Sequence, residues 1–271
     1  MSATNLNVND MILDRVRSVS FRNLTTDKII FLAKQIEDPS LKCTAEGEEV
    51  TDAIGSTITT LYRAKKATFD ATASLFSMDI AAAQYGTEKE VATSKKTITQ
   101  EYDEIIAIPV TEGVAATSVK TKYAPTNTVK WIYSVEEGGL GTAYAAGSAA
   151  SATEFVIAND GTITLPTGLT GKIYVEYQYA STVAVKVSNQ ADKFPETGKA
   201  VISVYFRDKC DDNKILSGKI ICPKAKINPE SIEHALTSTG KHPFSMNIQR
   251  DYCDEEAELY YIVVSDSEPT T

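Results

Sequence analysis

Two histidines, His234 and His242, are the chain's only imidazoles, and imidazole is the side chain best suited to moving protons near neutral pH. A hydrolytic centre would need a nucleophile and an acid beside them. The surrounding stretch, SIEHALTSTGKHPFS, holds no nucleophile elbow, phosphate loop or metal-binding helix motif. Both are read as surface or hydrogen-bonded loop histidines, and no enzymatic activity is expected. Asp251, Asp254, Glu255, Glu256 and Glu258 offer oxygens to calcium, but they lack the glycine and the alternating ligands of a calcium loop. They read as a solvated hairpin tip, as does Asp211-Asp212. Cys43, Cys210, Cys222 and Cys253 fit no metal-knuckle spacing. Cys210 and Cys222 flank a turn at residues 210–214, and a hairpin centred there sets Cys222 opposite about Ile202 rather than a second sulfur. Free cysteines in a reduced compartment are the expectation, with no metal and no cofactor. Lys65-Lys66 and Lys95-Lys96 suit contact with a phosphate or an acidic neighbour, and equally suit an edge strand protected by charge.

The formal net charge is -9, from 27 basic and 36 acidic residues. That lacks the basic footprint of nonspecific nucleic-acid binding, and a surface of this sign repels nucleic acid. Hydrophobic residues make up 42% of the chain, enough for a packed core. No apolar run approaches the roughly 20 residues of a membrane span. The first residues, MSATNLNVNDMILDRV, do not have the form of a secretory signal.

The stretch Val50 to Gly86 organises the rest. From Ser56 to Ala71 its β-branched and aromatic residues predict a strand. From Ser74 to Tyr85 the spacing turns helical, with Ser74 as N-terminal cap, Leu75, Met78 and Ala82 as a stripe, and Gly86 at the C-terminal cap. The stripe reads as core. The alternative is a subunit contact made through Leu75, Phe76, Met78 and Ile80.

Before this stretch, Met11–Phe21, Ile29–Gln35 and Leu41–Thr44 read as strands, with turns at Asp38-Pro39-Ser40 and at Glu46–Glu49. Residues before Asp10 read as an arm ordered by a neighbour. A strand begins at Ile105 and ends at Pro109. Composition then shifts to Ala, Gly, Thr and Ser, with strands at Val129–Val135, Phe155–Ala158 and Thr162–Leu165 and a turn at Asn159-Asp160-Gly161. Ala143–Ala152 reads as small and flexible. Gly171–Tyr179 alternates, with Ile173, Val175, Tyr177 and Tyr179 on one face. Trp131, Tyr133 and Tyr144 suit either a sandwich core, the preferred reading, or a sugar-stacking surface. Residues 109–182 therefore read as a small β-sandwich inserted into a main domain of residues 1–108 and 183–271. The main domain resumes with strands at Val183–Val187, Ala200–Asp208, Ile215–Cys222, Phe244–Tyr252 and Leu259–Val264, a connector at Pro223–Glu233, and a polar tail from Ser265. The fold class is mainly β: a β-sandwich or barrel with one packed α-helix, plus the insert.

The stretches VTDAIGSTITTLYRAKKATFDATASLFSMDIAAAQYG and GKIICPKAKINPESIEHALTSTGKHPFSMNIQRDYC resemble bacteriophage tail-tube proteins, in which a β-sandwich or barrel packs one helix on its side. The Ala/Gly/Thr-rich insert resembles the immunoglobulin-like modules of phage structural proteins. The resemblance implies a structural protein of the virion tail, present in the host cytoplasm during assembly. It implies self-assembly into rings, commonly hexameric, that stack into a hollow tube and bury on the order of 2,000 Å² or more per contact. Its partners would be itself and other virion tail proteins. DNA would pass as cargo that does not stick to an acidic wall, and no membrane would be involved. The alternatives are a neck, baseplate or head-decorating component, or a carbohydrate-binding adhesin module.

Overall fold

The computed structural model describes residues 11–209, 215–230, 232–234, 236, 240–252 and 258–265. The expected N-terminal arm, the turn at residues 210–214, Asp254–Glu256 and the polar tail past Ser265 lie outside the described residues. The chain opens with β1 (Met11–Asn23), β2 (Ile29–Ala33), β3 (Ile36–Thr51), β4 (Thr57–Ala73) and α1 (Met78–Tyr85). Short strands β5 (Glu90–Val91), β6 (Ile98–Ala107), β7 (Val110–Thr111), β8 (Val114–Ala115) and β9 (Ser118–Lys120) follow. Next come β10 (Trp131–Glu136), β11 (Gly139–Ala146), β12 (Glu154–Ile157), β13 (Thr162–Thr164), β14 (Lys172–Ser181) and β15 (Val185–Lys186). The chain closes with β16 (Thr197–Asp208), β17 (Ile215–Ile227), β18 (His242–Ile248) and β19 (Tyr261–Ser265). The protein is mainly β with a single helix among the described residues, as the composition and periodicity indicate.

The chain forms two compact units, Met1–Lys89 with Val187–Thr271, and Glu90–Lys186. In the first, an eight-stranded antiparallel sheet runs β2-β1-β16-β17-β18-β4-β3. The sheet forks at β17: Ser217–Ile221 pair with β19, whereas Ala225–Ile227 pair with β18. Phe21, Phe31, Phe69, Ile202, Phe244 and Met246 fill the core beneath it. Phe31 stacks on Phe21 at 5.7 Å and meets the edge of Phe244 at 5.6 Å, both favourable ring geometries.

Helix α1 begins three residues later than the sequence predicts. Ser77, not Ser74, is its N-terminal cap, the hydroxyl accepting from the Ile80 N–H. The Ser74 N–H is already given to the Gln35 carbonyl at the end of the sheet. Leu75 therefore precedes the helix, exposed, while Ile80 and Ala81–Ala83 turn inward. Gly86 ends the helix at φ 67°, the left-handed conformation that glycine adopts at least cost.

Two predicted turns are strand. Asp38-Pro39-Ser40 is a bulge within β3, with Asp38 at φ 48° and a register slip between Glu37 and Ser40. Proline is tolerated there because β3 is an edge strand and a bulge needs no ladder N–H. Glu46–Glu49 stays paired with β4, and the chain reverses at Asp52–Ser56, where the Asp52 carboxylate accepts from the Ile54 and Ser56 N–H groups. The connector expected at Pro223–Glu233 begins as strand, since β17 runs on to Ile227, and Pro223 sits where the pairing with β16 slips between Gly198 and Ala200. Cys222 faces Ala200 rather than Ile202.

In the second unit a seven-stranded path runs β6-β14-β10-β11-β12-β13-β9. The alternation along β14 buries Ile173, Val175 and Tyr177 together with Ile132, Phe155 and Ile163. The stretch expected to be flexible from Ala143 begins as strand, since β11 extends to Ala146 and sets Ala143 and Ala145 opposite Tyr133 and Trp131. The bulk missing from one strand comes from its cross-strand partner.

Candidate assembly surface

Strands β3 and β4 pair from Ile36–Ala73 out to Thr51–Thr57. The far edge of β4 is covered by β18 only over Ala67–Ala73. Outward from Thr44–Lys66 the two strands form an arm roughly 25 Å long at about 3.4 Å per residue. Among the described residues neither edge of the arm has a further strand partner. Residues 42–66 are exposed throughout except Thr60. Ile54 is 87% exposed, Tyr62 72% and Ile58 67%. An isolated two-stranded hairpin is marginal in water, and open edges with apolar side chains are templates for another chain. Two ion pairs brace the arm, Arg63–Glu48 at 2.8 Å and Lys66–Glu46 at 2.5 Å, the second using one of the lysine pair noted in the sequence.

The residues expected at a subunit contact are separated by the fold. Leu75 and Phe76 are exposed, Met78 is half-buried, and Ile80 lies in the core. Phe76 stacks on His242, with ring centroids 5.0 Å apart. His242 is not a loop histidine but the buried first residue of β18. Its Nδ1 accepts from the Ser77 N–H at 3.2 Å, so Nε2 carries the proton and donates to Gln84 Oε1 at 2.7 Å. Gln84 Nε2 donates in turn to the Pro243 carbonyl. Burial, and then the neighbouring His234, push the His242 pKa down to about 4. His234 meets His242 edge-on at 5.1 Å and shares a 2.5 Å hydrogen bond with the Tyr85 hydroxyl. His242 thus ties both ends of α1, at Ser77 and Gln84, to β18, and His234 adds a contact at Tyr85.

The YomU/Tube protein family matches residues 11–262. The chain belongs to that family. The resemblance to phage tail-tube proteins thus carries across both units, since Glu90–Lys186 lies inside the matched span. A YomU/Tube chain is a structural tube protein of the virion tail, and the family implies assembly with itself and with other tail proteins. No curated protein matches the chain.

Among the described residues no group of three or more His, Cys, Asp or Glu is placed to hold a metal ion, and no helix is long and apolar enough to cross a membrane. Asp251 pairs with Lys224 at 3.2 Å. Cys222 is buried and free, its thiol pushed up to about 12 by burial, whereas Cys43 is exposed at the root of the arm. Trp131 is not a core residue: it is half exposed, and its strand alternation turns Ile132 inward instead. The sequence conceals the arm because the acidic residues at Glu46–Glu49 carry turn chemistry. The available signal was the uninterrupted β-branched run on the opposite strand, Thr57–Thr60.

Proposed function

We propose that this chain assembles into rings, hexameric by the family's habit, and that the rings stack into a hollow tail tube through which DNA is delivered. The observation that supports this reading most is the β3–β4 arm, which exposes apolar side chains and has two edges with no strand partner among the described residues. Pairing those edges in a closed assembly removes the liability. The net charge of -9 suits a wall past which DNA slides. In this reading residues 109–182 form an immunoglobulin-like module carried on the particle.

The test is negative-stain electron microscopy over a range of concentrations. It compares the native chain with a variant in which Glu46–Ala64 is replaced by an Asn-Gly turn. The native chain is expected to give rings or tubes of uniform width, and the shortened variant to melt as before but remain dispersed. A native chain dispersed at every concentration overturns the reading.

A further inference from the structure

On the face of the main sheet away from its core, four side chains lie in one row across four strands. Ser18 of β1 faces Ser203 of β16, and Ser203 faces Lys219 of β17. Lys34, one step beyond the Val19–Ala33 pair, completes the row on the β2 side. Three strand spacings separate the two lysines, about 14 Å at the usual interval. Between them is a trough of about 360 Å³, with Ser217 and Arg17 along one side and Leu32 along the other. Its volume is that of about a dozen waters. Three cations and three hydroxyls line it, and among the described residues no carboxylate does. None of Arg17, Lys34 and Lys219 forms an ion pair among the described residues. Arg17 lies over the Tyr205 ring at 5.7 Å, and Asp14 on the same strand is taken by Arg15 and Arg207. In a chain of net charge -9 this is a concentrated positive site.

The complementary surface is on the arm. Glu46 and Glu48 are neutralised by Lys66 and Arg63, but Glu49 and Asp52 have no lysine or arginine partner among the described residues. The tip thus carries two uncompensated carboxylates next to Ile54, 87% exposed, and the trough carries three uncompensated cations next to Leu32, 46% exposed. Tip and trough are both exposed within one subunit, so the tip does not fill its own trough. We propose that the trough between Lys34 and Lys219 receives the acidic tip of the β3–β4 arm of a second copy of this chain. A DNA phosphate would answer the cations but not the leucine, so the arm is the better fit. The inference rests on the self-assembly reading, and it adds the specific contact.

The test is a charge swap, with assembly followed by sedimentation and each variant's fold checked by its melting curve. Lys34→Glu with Lys219→Glu, and separately Glu49→Lys with Asp52→Lys, are each expected to raise the concentration at half-assembly by about tenfold or more. All four substitutions in one chain are expected to restore it. Normal assembly of either double variant, or no recovery in the quadruple variant, overturns the docking while leaving self-assembly standing. A native chain that never assembles removes both. Loss of short duplex DNA binding in the lysine variant, with assembly intact, reassigns the trough to phosphate and also overturns the proposal.

Discussion

His242 should make the main unit acid-sensitive, in a pH window set by the burial of its ring. The folded state holds it neutral, with Nδ1 accepting from Ser77 and Nε2 donating to Gln84. A second proton would have to sit on Nδ1, facing an N–H that needs an acceptor. The folded pKa is pushed down to about 4, and the unfolded chain takes up the proton near the ordinary 6.5. Since the folded value is the lower one, stability is full above about pH 6.5 and falls as pH drops towards 4. At about 1.36 kcal/mol per unit, the loss between pH 7 and pH 5 is about 2 kcal/mol. The other groups near the ring are His234, Tyr85 through His234, and the Glu37–Lys241 pair beside the start of β18. Glu37 is held below the ordinary carboxylate range, first by its hydrogen bond to Lys241. Hydrogen exchange, corrected for intrinsic rates, would be read on peptides covering β18 and its partner segment Ala67–Ala73 of β4. The native chain should lose protection by the equivalent of about 2 kcal/mol across the window. His242→Gln should be less protected at pH 7 and show a clearly shallower slope. An equal slope in both proteins would refute the assignment of the acid sensitivity to this histidine.

Three further outcomes follow from single contacts. Gly86→Ala should cost more than about 2 kcal/mol by urea unfolding, because the residue sits at φ 67° and a Cβ there would lie 2.1 Å from the Phe194 carbonyl oxygen. Gly55→Ala, also at positive φ but with nothing within 4 Å, should cost only about 1 kcal/mol, and equal costs would contradict this account. Tyr177→Phe should weaken the Glu90–Lys186 unit by about 1–3 kcal/mol, since the hydroxyl accepts from the Tyr123 N–H at 3.1 Å and donates to Glu104 at 2.8 Å. Fluorescence of Trp131, the single tryptophan, reports on that unit. Alkylation at pH 8 followed by peptide mapping should label Cys43 and spare Cys222, whose buried thiol is pushed up to about 12; equal labelling rates would place Cys222 at the surface.

What the sequence disclosed was local. The change of period after Ala71, the Gly86 cap and the strict alternation of β14 each depend on neighbours within a few residues, and each is present in the fold. The misread segments depend on distant partners. Asp38-Pro39 and Glu46–Glu49 carry turn chemistry, and bulges use the same residue types, so the length of β4 across the sheet decides between them. Pro223 stays within a strand because β16 slips opposite it. Ala143 and Ala145 form strand because aromatic residues face them on β10. The histidine cluster was hidden for the same reason, since Gln84 and His242 are 158 residues apart. The trough was hidden too, as its row exists only once β1, β16 and β17 have paired.

At the entrance to the second unit, Glu90 pairs with Lys186 and Val91 with Val185. The polypeptide therefore leaves the main unit and re-enters it through two strands about 5 Å apart. For a gene, this amounts to a socket. Recombination with both breakpoints at that stem would exchange everything between them in one event. Every strand of the eight-stranded sheet lies outside that stem in sequence, so such an exchange would leave each of its residues unaltered.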